Sequence, residues 1–356
     1  MKIIIAIDSF KGCLTSEEVE DAFTQALTAQ GAEVLSFPLS DGGEGMLEAF
    51  VSALHGRMIE AEVHDPLMRP IRAQYGVTPN GTVLIESAKA CGLTLMCPEE
   101  RNPMVATTYG VGELVVHAIK QGYRNFIIGL GGSGTSDAGK GMLQVLANCF
   151  TPSGSIDELP VCGMPVCRFT LASDVRNPLY GKEGAASIFG PQKGATPQMV
   201  EWLDQQARQF AEWSAHRLGK DASLKPGAGA AGGLGYAFMQ YFQAEVQSGA
   251  DLLLDSIRFD EKIKGADLIL TGEGHADRQT LMGKLPERIL RRAQKQQIPV
   301  WLVAGRTSDT DILLKAGFSR VEALTPETTP LAEAVLPHIA RKNIEEWVKW
   351  QNDFSL

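Results

Sequence analysis

The sequence predicts an α/β protein: a doubly wound parallel sheet interrupted by an inserted second α/β domain. Strand-like apolar runs alternate with helical periodicity near both ends of the chain, which is the pattern of parallel strands joined by crossover helices. The middle breaks that rhythm with longer loops rich in glycine and proline. At 356 residues the chain also exceeds one ordinary domain and suits two. The outer domain is expected at residues 1–60 plus 262–356, and the inserted one at 61–261.

Residues 3–7 are a short continuous apolar run, as a strand buried on both faces requires. Thr15 and Glu18 have capping-box spacing, and Val19, Ala22, Phe23, Ala26 and Leu27 then recur at helical intervals until Gly31. A second strand is expected at 33–39, and a helix carried by Met46, Leu47, Phe50, Val51 and Leu54. The same alternation returns late: strand 267–271, helix 285–296, strand 299–304, helix 309–316, strand 320–324 and a final helix 330–346. Two early and three late strands make a five-stranded sheet whose right-handed crossovers restrict its wiring. In the middle, strands are expected at 125–129 and 166–172. A helix at 197–213 is capped by Thr196 and opened by Pro197.

Composition excludes several classes. The formal net charge of −9 and scattered Lys and Arg argue against a nucleic-acid partner. No apolar run approaches the ~18 residues of a membrane span. The N-terminal run is too short for a signal peptide and meets Asp8. Six cysteines in a chain of this length are no disulfide framework, and Cys162 and Cys167 lack a zinc-site pattern. A soluble cytoplasmic protein is expected, with a homodimer as the default assembly. The 37 glycines, against about 25 at the usual ~7%, point to many tight turns and close approaches of backbone to ligand.

Chemistry concentrates in the loops. After the strand at 125–129 come Gly131, Gly132, Ser133, Gly134, Thr135, Ser136 and Asp137, then a helix expected to begin near Ala138. Backbone amides and hydroxyls in such a loop, beside a helix N-terminus, can hold a phosphate; a tight turn with no ligand is the plainer alternative. Gly134 to Lys140 matches most of a Walker A motif, but Gly141 stands where a Ser or Thr hydroxyl must hold Mg²⁺, so a true P-loop is excluded. The literal GxGxxG at 227–232 follows Lys225-Pro226 and no strand, which leaves close backbone packing as its reading.

Three further loops carry acids. Asp8, Ser9 and Lys11 follow the first strand, Asp41 and Glu44 the second, and Glu273 and Asp277 the strand at 267–271. Ligands of doubly wound sheets bind at the carboxyl ends of strands, so Asp8, Asp41, Glu273, Asp277 and Lys11 are expected to crowd one rim. Grouped carboxylates beside a phosphorylated ligand hold Mg²⁺ through one or two ligands and water. Asp174 closes the strand at 166–172, while Lys193 and Lys284 sit on glycine-flanked turns suited to a phosphate or a carboxylate. The six histidines show no metal spacing and no GxSxG elbow is present. A phosphatase with Asp8 as nucleophile would want a second acid where Phe10 stands. A sugar-acid sensor without turnover fits polar loops less well than catalysis does.

Eight segments carry a resemblance: residues 8–12 (DSFKG), 39–45 (LSDGGEG), 86–93 (ESAKACGL), 129–141, 173–181 (SDVRNPLYG), 189–195 (FGPQKGA), 226–235 (PGAGAAGGLG) and 271–284 (TGEGHADRQTLMGK). Together they resemble the type-1 glycerate kinase family over nearly the whole chain. The central loop departs in small ways, with Gly134, Ser136 and Ala138 where Ala, Asn and Gly are usual. The resemblance implies a flavodoxin-like domain holding an inserted α/β domain. It also implies ATP- and Mg²⁺-dependent phosphorylation of D-glycerate to 2-phosphoglycerate in glyoxylate or sugar-acid (glucarate, galactarate) breakdown. The other hydroxyl of glycerate, giving 3-phosphoglycerate, or another small hydroxy acid are the alternatives.

From that resemblance and the needs of phosphoryl transfer, roles are expected as follows. Gly131, Gly132, Ser133, Thr135 and Ser136 cradle the ATP phosphates. Asp137 and Asp174 hold Mg²⁺ or take the hydroxyl proton, while Lys11 and Lys193 grip the carboxylate or the moving phosphoryl. Asp8, Ser9, Asp41, Glu44, Glu273, Asp277 and Lys284 bind substrate. The choice of base, and of which loop takes ATP and which takes glycerate, stays open at the level of sequence.

Overall fold

The computed structural model describes residues 1–351 except 11, 38, 40–44 and 160–163. Among the described residues the strands are β1 (Lys2–Ile7), β2 (Glu33–Ser36), β3 (Arg57–His64), β4 (Pro70–Val77), β5 (Thr82–Glu86), β6 (Asn125–Gly129), β7 (Arg168–Ala172), β8 (Glu245–Gln247), β9 (Leu268–Ala276), β10 (Val300–Thr307) and β11 (Arg320–Ala323). The chain divides into two compact units, Met1–Asp41 with Ala250–Leu356, and Gly42–Gly249.

In the first unit five parallel strands lie in the order β2-β1-β9-β10-β11. Numbered within the unit this is 2-1-3-4-5, the flavodoxin-like order, whose ligand crevice opens at the switch point between the strands numbered 1 and 3. Ile3, Ile4, Ile5, Ala6 and Ile7 are all fully buried, as expected of a central strand covered on both faces. One face is covered by helices Ser16–Ala29 and Pro337–Trp350, where Phe23 meets Trp347 edge to face at 5.9 Å. The Thr15–Glu18 capping box forms as its spacing predicts.

Two late elements differ from expectation. The acidic segment after the third strand is the strand itself, because β9 stays paired with β10 through Glu273, His275 and Ala276. The expected final helix is two, Leu331–Ala334 and Pro337–Trp350. Pro337 takes the first helical position of the second, and a proline forces the residue before it out of helical backbone.

The second unit holds a mixed sheet in the order β3-β4-β5-β6-β7-β8, with β3, β4 and β5 antiparallel and β5 to β8 parallel. Helix Met46–Ala53 packs on β4 and β5 of this sheet, and β3 is paired with β4 along its whole length. Both therefore lie in this unit, although the sequence placed residues up to 60 in the outer domain. At the other end Phe259 stacks edge-on against Phe37 of the first unit at 5.5 Å, so the first unit resumes before residue 262.

Candidate functional site

The parallel strands β5, β6 and β7 end level with one another, Glu86 beside Gly129 and Gly129 beside Ala172. The loops that follow them therefore emerge at one edge of the second unit's sheet. The loop after β6 is pinned from below: the Leu93 amide donates to the Gly132 carbonyl (2.9 Å), Gly134 to Cys91 (2.8 Å) and Ala138 to Gly232 (3.0 Å). Gly232 has a left-handed φ of 63°, and a Cβ there would run into the Thr135 carbonyl. The GxGxxG segment thus gives the loop room to pack. Among the described residues the amides of Gly131, Gly132, Thr135 and Ser136 make no backbone hydrogen bond.

Lys193 lies beneath this loop, 3% exposed. The turn Pro191–Lys193 delivers it, and its ammonium donates to Ser133 Oγ (3.0 Å) and to the Thr135 carbonyl (2.7 Å). Burial pulls its pKa down to about 8, with Cys91 and Asp137 nearby acting in the opposite direction. A buried cation under a loop with uncommitted amides is suited to an anion.

The helix N-terminus does not contribute as expected. Helix Lys140–Phe150 starts two residues later than the sequence suggested, because Ala138 and Gly139 are both left-handed, φ 55° and 73°. Its first amides are already taken: Lys140 donates to the Asp137 carbonyl (3.1 Å), Gly141 to Asp137 Oδ2 (3.1 Å) and Met142 to Thr108 Oγ1 (3.0 Å). Asp137 Oδ2 also accepts from the Thr108 amide and hydroxyl, each at 2.9 Å, and Oδ1 accepts from Gly139 (3.0 Å). A carboxylate so engaged is a helix cap and does not fit the role of metal ligand or proton acceptor expected for it. Gly141 has no space for the hydroxyl residue of a P-loop, since a Cβ would meet Thr107 Oγ1.

Asp174 is exposed, two residues beyond β7 and on the same sheet edge as the loop after β6. Among the described residues it is an exposed carboxylate at this edge, whereas Asp137 is engaged by four donors. No group of three His, Cys, Asp or Glu side chains among the described residues is placed to hold a metal ion. Mg²⁺ bound together with nucleotide phosphates uses only one or two carboxylates, so Asp174 fits that role and Asp137 does not.

The first unit carries its own cavity, about 330 Å³, at the carboxyl ends of β1, β9, β10 and β11. Asp8, Ser9, Glu273 and Lys284 line it, and Arg306 joins them from β10; of the acids expected at the rim, Asp8 and Glu273 are in this lining. Glu273, 8% exposed, accepts from Thr280 Oγ1 at 2.7 Å and from Lys284 Nζ at 2.6 Å. Asp8 Oδ1 accepts from the Ser9 amide at 2.7 Å. Asp277 is not part of the lining: it caps the turn Arg278–Leu281, with Oδ1 accepting from Gln279 at 2.7 Å. Lys11, Asp41 and Glu44, and Cys162, lie outside the described residues.

Sequence reasoning missed Thr108, Arg306 and Asn343. Arg306 stands one residue before the end of β10, so an argument from the carboxyl ends of strands would have found it. Thr108 and Asn343 carry no local signal, because one acts from a distant helix cap and the other from the middle of a helix.

Residues 3–155 and 153–350 match the family model described as "Glycerate kinase family". The chain belongs to the glycerate kinase family. It is 39% identical to "Glycerate kinase" of Bacillus subtilis (strain 168) over 94% of this chain and 93% of that protein. It is 37% identical to "Glycerate 2-kinase" of Escherichia coli (strain K12) over the same shares. A crystal structure of "putative glycerate kinase 2 from Salmonella typhimurium LT2" superposes with a TM-score of 0.83 at 36% identity, covering 98% of this chain and 96% of that one. The glycerate-kinase fold is thus shared throughout, and the protein is a kinase that moves a phosphoryl group from ATP to a small acceptor. No described helix is long and apolar enough to cross a membrane.

Proposed function

We propose that this kinase phosphorylates D-glycerate with ATP at the secondary hydroxyl and releases 2-phosphoglycerate, in the breakdown of glyoxylate or of sugar acids such as glucarate and galactarate. The observation that carries the reading is the buried Lys193 ammonium under the loop at 131–136. Phosphoryl transfer asks a protein chiefly to neutralise and position phosphate oxygens, and a cation fixed by Ser133 and the Thr135 carbonyl does both. The naming of the E. coli relative supports the 2-position.

In this reading Gly131, Gly132, Thr135 and Ser136 present amides to the phosphates, and Lys193 draws charge from the transferring group. Asp174 takes the proton of the attacking hydroxyl or holds Mg²⁺, which when bound with ATP supplies charge neutralisation on the phosphate oxygens. Asp137 holds the loop to the helix behind it. The carboxylates of Asp8 and Glu273 are acceptors for hydroxyls, and Lys284 is held against Glu273. ATP as co-substrate supports a cytoplasmic setting.

The test is ³¹P NMR of purified protein with D-glycerate, ATP and Mg²⁺, spiked with authentic 2- and 3-phosphoglycerate. A product coincident with 2-phosphoglycerate is expected. A 3-phosphoglycerate signal would overturn the regiochemistry, and no phosphorylated glycerate at all would overturn the acceptor.

A further inference from the structure

Among the described residues the first unit's cavity carries its charges on one rim, from Asp8, Glu273, Lys284 and Arg306. Its volume of about 330 Å³ falls at the lower end of the ~300–1,000 Å³ that accommodates a drug-sized ligand. Away from the charged rim the walls are aliphatic: Leu324, Leu331, Val335 and Ala340. Among them stands Asn343, on helix Pro337–Trp350 and 9% exposed. Its Nδ2 has no hydrogen-bond partner, and neither does the buried Nε of Arg306. A buried amide donor left unmatched costs stability, and a ligand that matched it would recover that cost.

These features describe a slot for a flat, uncharged heterocycle with a hydroxylated substituent. Aliphatic walls sandwich a ring. A side-chain amide, which carries donor and acceptor together, pairs with the adjacent amino group and ring nitrogen of adenine. A strand-end carboxylate such as Asp8 accepts from ribose hydroxyls, as acids do at the carboxyl ends of other doubly wound sheets. We infer that this cavity takes the adenosine part of ATP, and that Asn343 reads the base. The inference rests on the proposed use of ATP and assigns the nucleoside to the first unit's cavity.

Photolabelling with ATP bearing an azide on the base, followed by peptide mapping, tests the wild-type protein directly. Label is expected on peptides from residues 324–347 or 8–14; label confined to peptides from 131–141 overturns the assignment. Asn343→Leu keeps the side chain's bulk and removes both polar atoms. It should raise the KM for ATP about tenfold or more, the loss of one bidentate base contact, with the KM for glycerate within about twofold. Asn343→Asp, an acceptor without a donor, should shift nucleotide preference from ATP towards GTP, whose base presents two donors on one edge. A raised KM for glycerate with unchanged KM for ATP would assign the cavity to the acceptor instead. If the wild type does not phosphorylate glycerate, the proposed acceptor fails, while calorimetry with ATP alone and the photolabel still decide the cavity. If the variants fail to fold, the photolabel decides it.

Discussion

Lys193 carries a charge where charge is costly. Its folded pKa of about 8 lies below the ordinary lysine value of about 10.4. The ammonium is the form that grips phosphate, so kcat/KM for ATP, which reports the free enzyme, should fall as pH rises through about 8. Lys193→Arg stays charged throughout and should abolish that limb, whatever activity it retains. Stability runs the other way. Between pH 8 and the unfolded pKa the unfolded chain binds more protons, so stability should rise with pH across that window. A methionine of similar length carries no charge to strip of water, which is the cost that burial imposes on the Lys193 ammonium. Lys193→Met should therefore melt no lower than wild type at pH 7 while losing at least about a hundredfold in kcat/KM, consistent with loss of charge stabilisation in the transition state. A second pair separates the two acids. Asp137→Asn should cost about 2–3 kcal/mol in urea unfolding, because an amide meets donors that a carboxylate satisfied. Asp174→Asn should lower kcat about 10²–10⁴-fold as a lost general base; a change within about threefold would remove it from that role.

At the scale of elements, the close approach of Gly232 to the Thr135 carbonyl is the most sensitive joint. Gly232→Ala must move backbone and also adopt a left-handed φ, so it should lower both melting temperature and activity, whereas Gly219→Ala, left-handed but with open space around it, should lower only the former. Elements whose cause is local were legible in sequence. The Thr15–Glu18 box, the Thr196 cap and the buried run of β1 each appear where residue spacing put them. Elements set by partners were not. β9 runs on to Ala276 because β10 offers a ladder beside it. β3 and β4 were hidden because an antiparallel pair with one solvated face carries Arg, Glu and Gln in alternation with its apolar residues. The site divides in the same way. Glycine loops and strand-end acids announced Ser133, Asp8 and Glu273, but that Asp137 caps a helix depends on Thr108, 29 positions away.

For the whole molecule, the second unit is continuous in sequence from Gly42 to Gly249 and has its own sheet and buried core. Expressed alone, residues 42–249 should give a cooperative thermal transition and no glycerate phosphorylation; a chain without cooperative melting would show that its core is not self-sufficient. The same fragment should fail to take the base-directed photolabel.

The first unit has no such independence, since its central strand must wait for its neighbour. The Lys2 amide is bonded to Asp267, 265 positions later. At about 5–20 residues per second of synthesis, β1 spends roughly 13 to 50 seconds outside the ribosome before β9 exists to flank it. During that interval a strand of isoleucines has at most one native neighbour, β2. An entire six-stranded domain can fold in the meantime. Biogenesis of this enzyme is then a matter of sheltering its first seven residues, and a holding chaperone that engages nascent apolar strands should govern its yield more than its equilibrium stability does.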